Sequence, residues 1–138
     1  MELDYSEDGS VKVSMIKYTG KILISFPENI IGISVSPSVE HLFKVGDDKD
    51  TKYLPEEQAQ SFHHTTAQLL FICSRSRRNI ETAVAFLTTR VRQTDEDDWG
   101  KLKIVLVYLN STRHMKMNLA VENMYLIRWW VYASYNVH

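Results

Sequence analysis

The chain has 138 residues, of which 44% are hydrophobic and 24% are charged, the balance of an ordinary globular domain. This composition excludes a collagenous, low-complexity or wholly disordered protein, and the length suits a single domain. The net charge is −1, but it is unevenly distributed. Residues 1–57 carry 6 Lys/Arg and 11 Asp/Glu, whereas residues 58–138 carry 10 and 6. An anionic partner should therefore prefer the C-terminal half.

Targeting and redox signals are absent from the sequence. Cys73 is the sole cysteine, so an intrachain disulfide is excluded. The acidic N-terminus has no apolar core of the kind that a signal peptide requires. The apolar stretch 69–73 is far too short to cross a membrane. We therefore expect an intracellular protein, cytoplasmic or nuclear, without membrane contact.

The N-terminal third begins with regular elements and then loses its periodicity. Residues 2–5 and 11–15 flank a polar loop with an Asp-Gly pair and predict a β-hairpin. Apolar residues then fall four apart, which predicts an amphipathic helix over 15–26 that ends at Pro27. The segment 27–54 has no clear period and contains an acidic run, so we expect a long, mobile loop.

The rest of the chain predicts three helices and two strands, over 55–74, 80–93, 96–110, 115–119 and 125–135. Residues suited to helix starts precede the helices: Pro55, Asn79, and Thr94 or Asp95. The element order is ββα–loop–ααα–ββ, which predicts an α+β fold with a helical middle and a C-terminal strand pair.

Three features that could carry chemistry are better explained by structure. His63 and His64 would point about 100° apart on a helix, so they cannot bind one metal ion together with the distant Cys73. The acidic run 95–98 fits a helix start better than a calcium loop. Cys73 lies on an apolar helix face without a base to activate it. We predict no metal site and no cofactor.

The basic run Arg75, Arg77 and Arg78 lies between two predicted helices. Such a cluster could contact phosphate groups. The alternative is that these side chains are solvated helix ends, and Arg75 suits the negative C-terminus of its helix. The spacing alone favours the second interpretation.

Trp129 and Trp130 lie in the last predicted strand, where neighbouring side chains point to opposite faces. Both rings need cover, yet the sequence ends at His138. We therefore expect a strand that lacks neighbours on at least one edge, which is a sign of truncation.

A resemblance becomes specific at residues 99–112, which are similar to the W-x-x-L-K-R-V-L-R-Y-L-x-G-T segment of copia-type retrotransposon polyproteins. In that family the segment lies between the reverse transcriptase polymerase core and the RNase H domain. Residues 76–84 resemble the family's T-R-P-D-I-x-x-A-V helix start. Residues 1–23 resemble its L-G-M-E-I…Y…I-L segment, and residues 131–134 align with the D-A-S or D-A-D start of its RNase H domain.

The resemblance covers essentially the whole chain and implies two parts. Residues 1–112 correspond to a reverse transcriptase thumb and connection, and residues 1–15 at its start resemble the end of the palm. Residues 113–138 correspond to the start of an RNase H-like sheet that is truncated. The thumb and connection of the family lie along the template–primer duplex.

The departures from the family remove both catalytic sites. The paired aspartates of Y-x-D-D that hold two metal ions in the polymerase are missing from this sequence. Tyr132 stands where an RNase H aspartate is expected, and a phenol with a pKa near about 10 stays protonated and does not coordinate Mg²⁺. The resemblance therefore implies a protein that is not an enzyme.

We therefore expect a catalytically inactive fragment of a copia-type polyprotein that binds an RNA–DNA or DNA duplex weakly and without sequence preference. The residues expected to contact phosphate are Lys17, Lys21, Arg75, Arg77 and Arg78. Two alternatives remain. The chain could be an interaction module that pairs with an intact reverse transcriptase or the parent polyprotein, or it could be a relic without function.

Overall fold

A computed structural model describes residues 1–46, 51–120 and 125–127 of the chain. The described part is an α+β fold, as the sequence predicts, and it consists of a three-stranded antiparallel sheet and four α-helices. In chain order the elements are β1 (Glu2–Tyr5), β2 (Val11–Ser14), α1 (Ile16–Ser25), α2 (Glu56–Arg75), a 3₁₀ turn (Arg78–Ile80), α3 (Glu81–Thr89), α4 (Glu96–Ser111) and β3 (Met117–Leu119). None of the described helices is both long and apolar enough to cross a membrane.

The predicted hairpin is confirmed as β1 and β2, which pair antiparallel. Gly9 supplies the turn with a φ of +82°, which side chains with a Cβ rarely adopt. The Asp8 carboxylate accepts hydrogen bonds from the Ser6 hydroxyl, the Ser10 backbone N–H and the Ser10 hydroxyl. These bonds favour the charged form and lower the pKa of Asp8 to about 2. The loop is therefore tied by its own side chains.

The strand predicted over 115–119 is confirmed as β3, and its described partner is β2 rather than the predicted strand 125–135. β3 pairs with β2 of the N-terminal hairpin, and Val13 lies opposite Met117. β1 pairs with only one edge of β2, so the backbone N–H and C=O groups on the other edge would be unpaired without β3. The other predicted strand, 125–135, lies outside the described residues except for 125–127, which are not in a strand. Trp129, Trp130 and Tyr132 are likewise outside the described residues.

Four α-helices enclose the core, and α1, α2 and α4 closely match the predicted bounds. α1 packs against α2 and α4, and α3 packs against the same two helices. The most deeply buried apolar side chains come from all four helices and the 3₁₀ turn: Ile22, Phe62, Leu69, Ile72, Ile80, Val84, Leu87, Leu102, Val105, Leu106 and Leu109. A shared apolar interior of this kind is the main stabilising contribution in a small domain.

The start and end of α3 differ from the prediction. The sequence predicts Asn79 as the N-cap of α3, but the N-cap position is occupied by Ile80. No side chain caps the start of this helix. The Asn79 amide instead donates to the Tyr108 hydroxyl at 2.6 Å. The helix ends at Thr89, before the predicted residue 93, and Arg90 then reaches Asp98 on the next helix at 3.0 Å. Tertiary contacts therefore decide both ends.

The acidic run at the start of α4 is a helix cap, as predicted. Asp95 accepts a hydrogen bond from the Asp98 backbone N–H at 2.8 Å, and Asp98 accepts one from the Asp95 N–H at 3.1 Å. Arg90 lies 3.0 Å from the Asp98 carboxylate and 3.6 Å from that of Asp95. Burial raises the pKa of Asp98, against the opposing effect of these partners.

The described residues of the segment 27–54 form no helix or strand, and one isolated bridge joins Tyr53 to Asp95. Some of its side chains nevertheless reach the helices. Leu42 is buried in the core, and the ring of Phe43 meets that of Phe86 edge-on at 5.5 Å between centroids. The mobility expected of this segment stays a prediction.

Candidate nucleic-acid interface

The five basic residues singled out in the sequence have different environments. Lys17 and Lys21 are exposed on α1, and Arg75 is exposed at the C-terminal end of α2. Arg78 is exposed in the 3₁₀ turn that follows. Arg77 is buried, with 3% of its surface exposed. The count of basic residues in the sequence therefore overestimates the number of cations that can contact a phosphate group.

Arg77 is removed from the candidate set because its donors are used inside the protein. Its guanidinium donates to the Thr112 carbonyl at 3.0 Å and to the Thr112 hydroxyl at 2.5 Å. A third bond goes to the Asn79 side-chain oxygen at 3.3 Å. Burial lowers the pKa of Arg77 from its usual high value. Arg77 thus ties the end of α2 to the end of α4.

Arg75 has the opposite environment and stacks on an aromatic ring at the surface. Its guanidinium carbon lies 3.7 Å from the centroid of the Phe71 ring, one helical turn earlier. The Tyr18 ring of α1 meets Phe71 at 5.2 Å between centroids, with the planes tilted by 49°. An aromatic pair from two helices therefore supports an exposed cation.

The helical period explains why these side chains share a surface. α1 buries Thr19 and Ile22, which directs Lys17 and Lys21, one turn apart, away from the core. α2 buries Leu69, Ile72 and Cys73, and its residues 70, 71, 74 and 75 are exposed. The Tyr18–Phe71 contact joins the two helices at this level. We call the surface formed by Lys17, Tyr18, Lys21, Phe71 and Arg75 the basic face.

The positive charges of the basic face have few carboxylate partners nearby. Lys17 lies 4.0 Å from the Glu2 carboxylate, and both side chains are largely exposed, so this pair contributes little. Across the residues that the structure describes, no carboxylate forms an ion pair with Lys21 or Arg75. The Arg75 guanidinium makes one further bond, to the Ser74 hydroxyl at 3.3 Å. This leaves positive charge open to solvent.

The other candidate residues do not assemble into a reactive site. Cys73 is buried, donates weakly to the Leu70 carbonyl at 3.3 Å, and has a pKa raised by burial. His63 and His64 are exposed and line a shallow groove with Gln60 and Ala67. Within the described ranges, no group of three His, Cys, Asp or Glu side chains is arranged to hold a metal ion.

An open cleft of about 540 Å³ lies near the start of α2 and does not suit a polyanion. Glu28 and Glu57 both line it, together with Trp99. The Trp99 indole N–H donates to the Glu28 carboxylate at 2.6 Å, and Lys103 lies 3.6 Å from the same group. Negative charge therefore lies toward the end of α2 that is remote from Arg75.

The aromatic part of the basic face was missed in the sequence. The spacing of Tyr18, Ile22 and Phe26 predicts that Tyr18 lies on the apolar face of α1. The predicted apolar face of α2 does not include Phe71 and is formed by Phe62, Leu69, Leu70 and Cys73. The signal that could have identified it is the spacing of Phe71 and Arg75, an i, i+4 pair that stacks on a helix surface. The contact with Tyr18 joins residues far apart in the chain, and local spacing does not predict it.

No protein-family model, no curated protein and no solved structure matches this chain. The function of the basic face is therefore inferred from its own residues and from the motifs that resemble copia-type polyproteins.

Proposed function

We propose that the chain corresponds to the thumb and connection of a copia-type reverse transcriptase, without catalytic activity, and that it binds nucleic acid weakly and independently of sequence. The basic face carries this activity. The observation that supports it most is the exposed Arg75, which stacks on Phe71 without a carboxylate partner among the described residues. Phe71 in turn contacts Tyr18 of α1, the helix that carries Lys17 and Lys21.

Electrostatics set the expected strength of this binding. Each Lys or Arg that neutralises a phosphate releases counterions, so affinity falls as salt rises. Three cations of the basic face provide only a small number of such contacts. The excess of acidic residues over residues 1–57 and the net charge of −1 oppose tight association with a polyanion. Weak, salt-sensitive binding is the consequence.

Removing two cations of the basic face should weaken binding to a labelled RNA–DNA hybrid. We expect the double variant Lys21→Gln with Arg75→Gln to bind about tenfold more weakly at low salt. The slope of log K against log salt should become shallower by about two, because each lost phosphate contact contributes roughly 0.9. Fluorescence anisotropy across a salt series measures both quantities.

Lys52→Gln with Arg92→Gln is the matched control, since it removes the same charge. Both residues are exposed, and Arg92 lines a groove with Ala59, about 24 Å along α2 from Arg75. The control should stay within about twofold of the wild type. Equal losses in both variants, or no binding of the hybrid at low salt, would contradict the proposal.

A second candidate, pairing with an intact reverse transcriptase, is favoured by exposed apolar residues. Ile31, Ile33 and Val35 alternate along the chain and are 81%, 88% and 96% exposed. Three such exposed side chains within five residues are typical of a contact surface, and we call residues 31–35 the apolar strip.

Binding through that strip should survive high salt, because burial of apolar surface does not depend on counterions. An intact copia-type reverse transcriptase should then retain the chain at about 500 mM NaCl, and Ile33→Asp should release it. The matched control is Ser36→Asp, which adds the same charge at a half-buried polar position nearby. Retention that disappears with salt would exclude this candidate, and failure of both candidates would leave the relic hypothesis.

A further inference from the structure

We propose that the basic face binds an unpaired nucleic-acid strand by stacking a base on the Arg75 guanidinium. This inference rests on the proposed function and names its preferred ligand class, a single strand with accessible base faces. It assigns different tasks to the residues of the face. Arg75 provides the stacking surface, and Lys17 and Lys21 provide charge for the neighbouring phosphates.

The two sides of the Arg75 guanidinium have different surroundings. The Arg75 guanidinium carbon lies over the Phe71 ring, 3.7 Å from the ring centroid. The ring therefore lies on one side of this planar cation, while Arg75 as a residue remains exposed. The uncovered face has the size and chemistry of a platform on which a nucleobase stacks.

The Phe71 ring and the Arg75 guanidinium are both held in place by neighbouring side chains. Phe71 is 39% exposed and is held from the side by Tyr18, whose ring belongs to another helix. The Arg75 guanidinium is further restrained by its bond to the Ser74 hydroxyl at 3.3 Å. A long side chain that is already held flat loses less rotational freedom when a ligand binds. The stack is therefore organised before the nucleic acid arrives.

Such a platform distinguishes a single strand from a duplex. Inside a duplex both faces of each internal base are covered by neighbouring bases, so an internal base cannot stack on a protein platform. An unpaired base presents its π-face, and stacking on aromatic or guanidinium planes is tolerant of sequence. The basic face therefore offers a single strand a contact that a duplex cannot use.

The experiment compares two DNA strands of 15 nucleotides that carry the same phosphate charge. One is oligo-dT, and the other has abasic sites in place of the bases. We expect the wild-type chain to bind oligo-dT about five- to tenfold more tightly than the abasic strand, the effect of stacking one base at the lower end of the usual range. Anisotropy at a fixed low salt concentration measures the ratio.

Arg75→Lys separates stacking from charge, because lysine keeps the charge but lacks the planar group. This variant should bind the abasic strand and the hybrid within about twofold of the wild type and should lose the preference for oligo-dT. Phe71→Leu, which removes the supporting ring, should do the same. Arg92→Lys is the control and should keep the preference. Far-UV circular dichroism checks that each variant is folded.

The outcomes separate this inference from the proposed function. Equal affinity of the wild type for oligo-dT and the abasic strand overturns stacking, even if the hybrid still binds in a salt-dependent manner. A preference that survives in Arg75→Lys also overturns it. If neither strand nor the hybrid binds, the proposed function fails as well. Because the wild-type ratio requires no substitution, the test does not depend on the folding of any variant.

Discussion

Replacing Arg90 with alanine should lower the free energy of unfolding by about 3–5 kcal/mol, the range for a buried ion pair that loses one partner. The Arg90 side chain is 14% exposed, and it contacts the carboxylates of Asp95 and Asp98, which are 6% and 2% exposed. It also donates to the Gln93 carbonyl at 3.0 Å. Without Arg90, two acidic groups of the α4 cap remain buried together without a cation. Urea denaturation followed by tryptophan emission measures the loss.

The deficit of Arg90→Ala should shrink in acid. Burial raises the pKa of Asp98 above its unfolded value, and loss of Arg90 raises it further. The folded state then binds more protons than the unfolded state, so stability rises as pH falls through the folded pKa toward the unfolded one. Arg92→Ala, two residues away at an exposed position, should change stability by no more than about 0.5 kcal/mol. A loss below about 1 kcal/mol in Arg90→Ala, or a deficit that grows in acid, would contradict this account.

Replacing Arg77 with methionine should lower the free energy of unfolding by about 2–3 kcal/mol, the scale of a lost hydrogen bond to a charged group together with a carbonyl left without its partner. The two bonds to Thr112 are removed, and the contact between the ends of α2 and α4 is lost with them. Methionine preserves much of the buried volume, so the loss reports the polar contacts. Urea denaturation again provides the measurement.

The neighbouring variant Arg78→Met is the control for Arg77→Met. Arg78 is exposed, so its replacement should leave stability within about 0.5 kcal/mol of the wild type. Under conditions where both variants are folded, Arg77→Met should bind the RNA–DNA hybrid as the wild type does. If the Arg77→Met chain is folded but no longer binds the hybrid, Arg77 contacts nucleic acid and its exclusion from the interface is wrong.

Local patterns predicted the elements whose cause is local. The periods of α1, α2 and α4 and the acidic start of α4 are visible in a few consecutive residues, and the structure confirms them. The role of Asn79 depends on Tyr108, and the pairing of β3 depends on Val13 and its neighbours in β2. Such contacts join distant residues, so spacing along the chain carries no signal of them.

The basic run illustrates the same limit for the candidate site. Arg75 and Arg77 are two residues apart and have the same charge, but one is exposed and the other is buried. α2 ends at Arg75, and the backbone changes direction at Ser76, which sends Arg77 toward Thr112. The sequence therefore identified the cations, while the end of the helix decided which of them reach solvent.

The pairing of β2 with β3 has a consequence for the order of assembly. Val13 and Met117 are about 100 residues apart, so bringing them together in an otherwise unfolded chain carries a large loop-closure entropy. The helices between them shorten that distance once they are packed. We therefore expect the sheet to be completed after the helical core, so that pairing of β3 with β2 would report that the core has assembled.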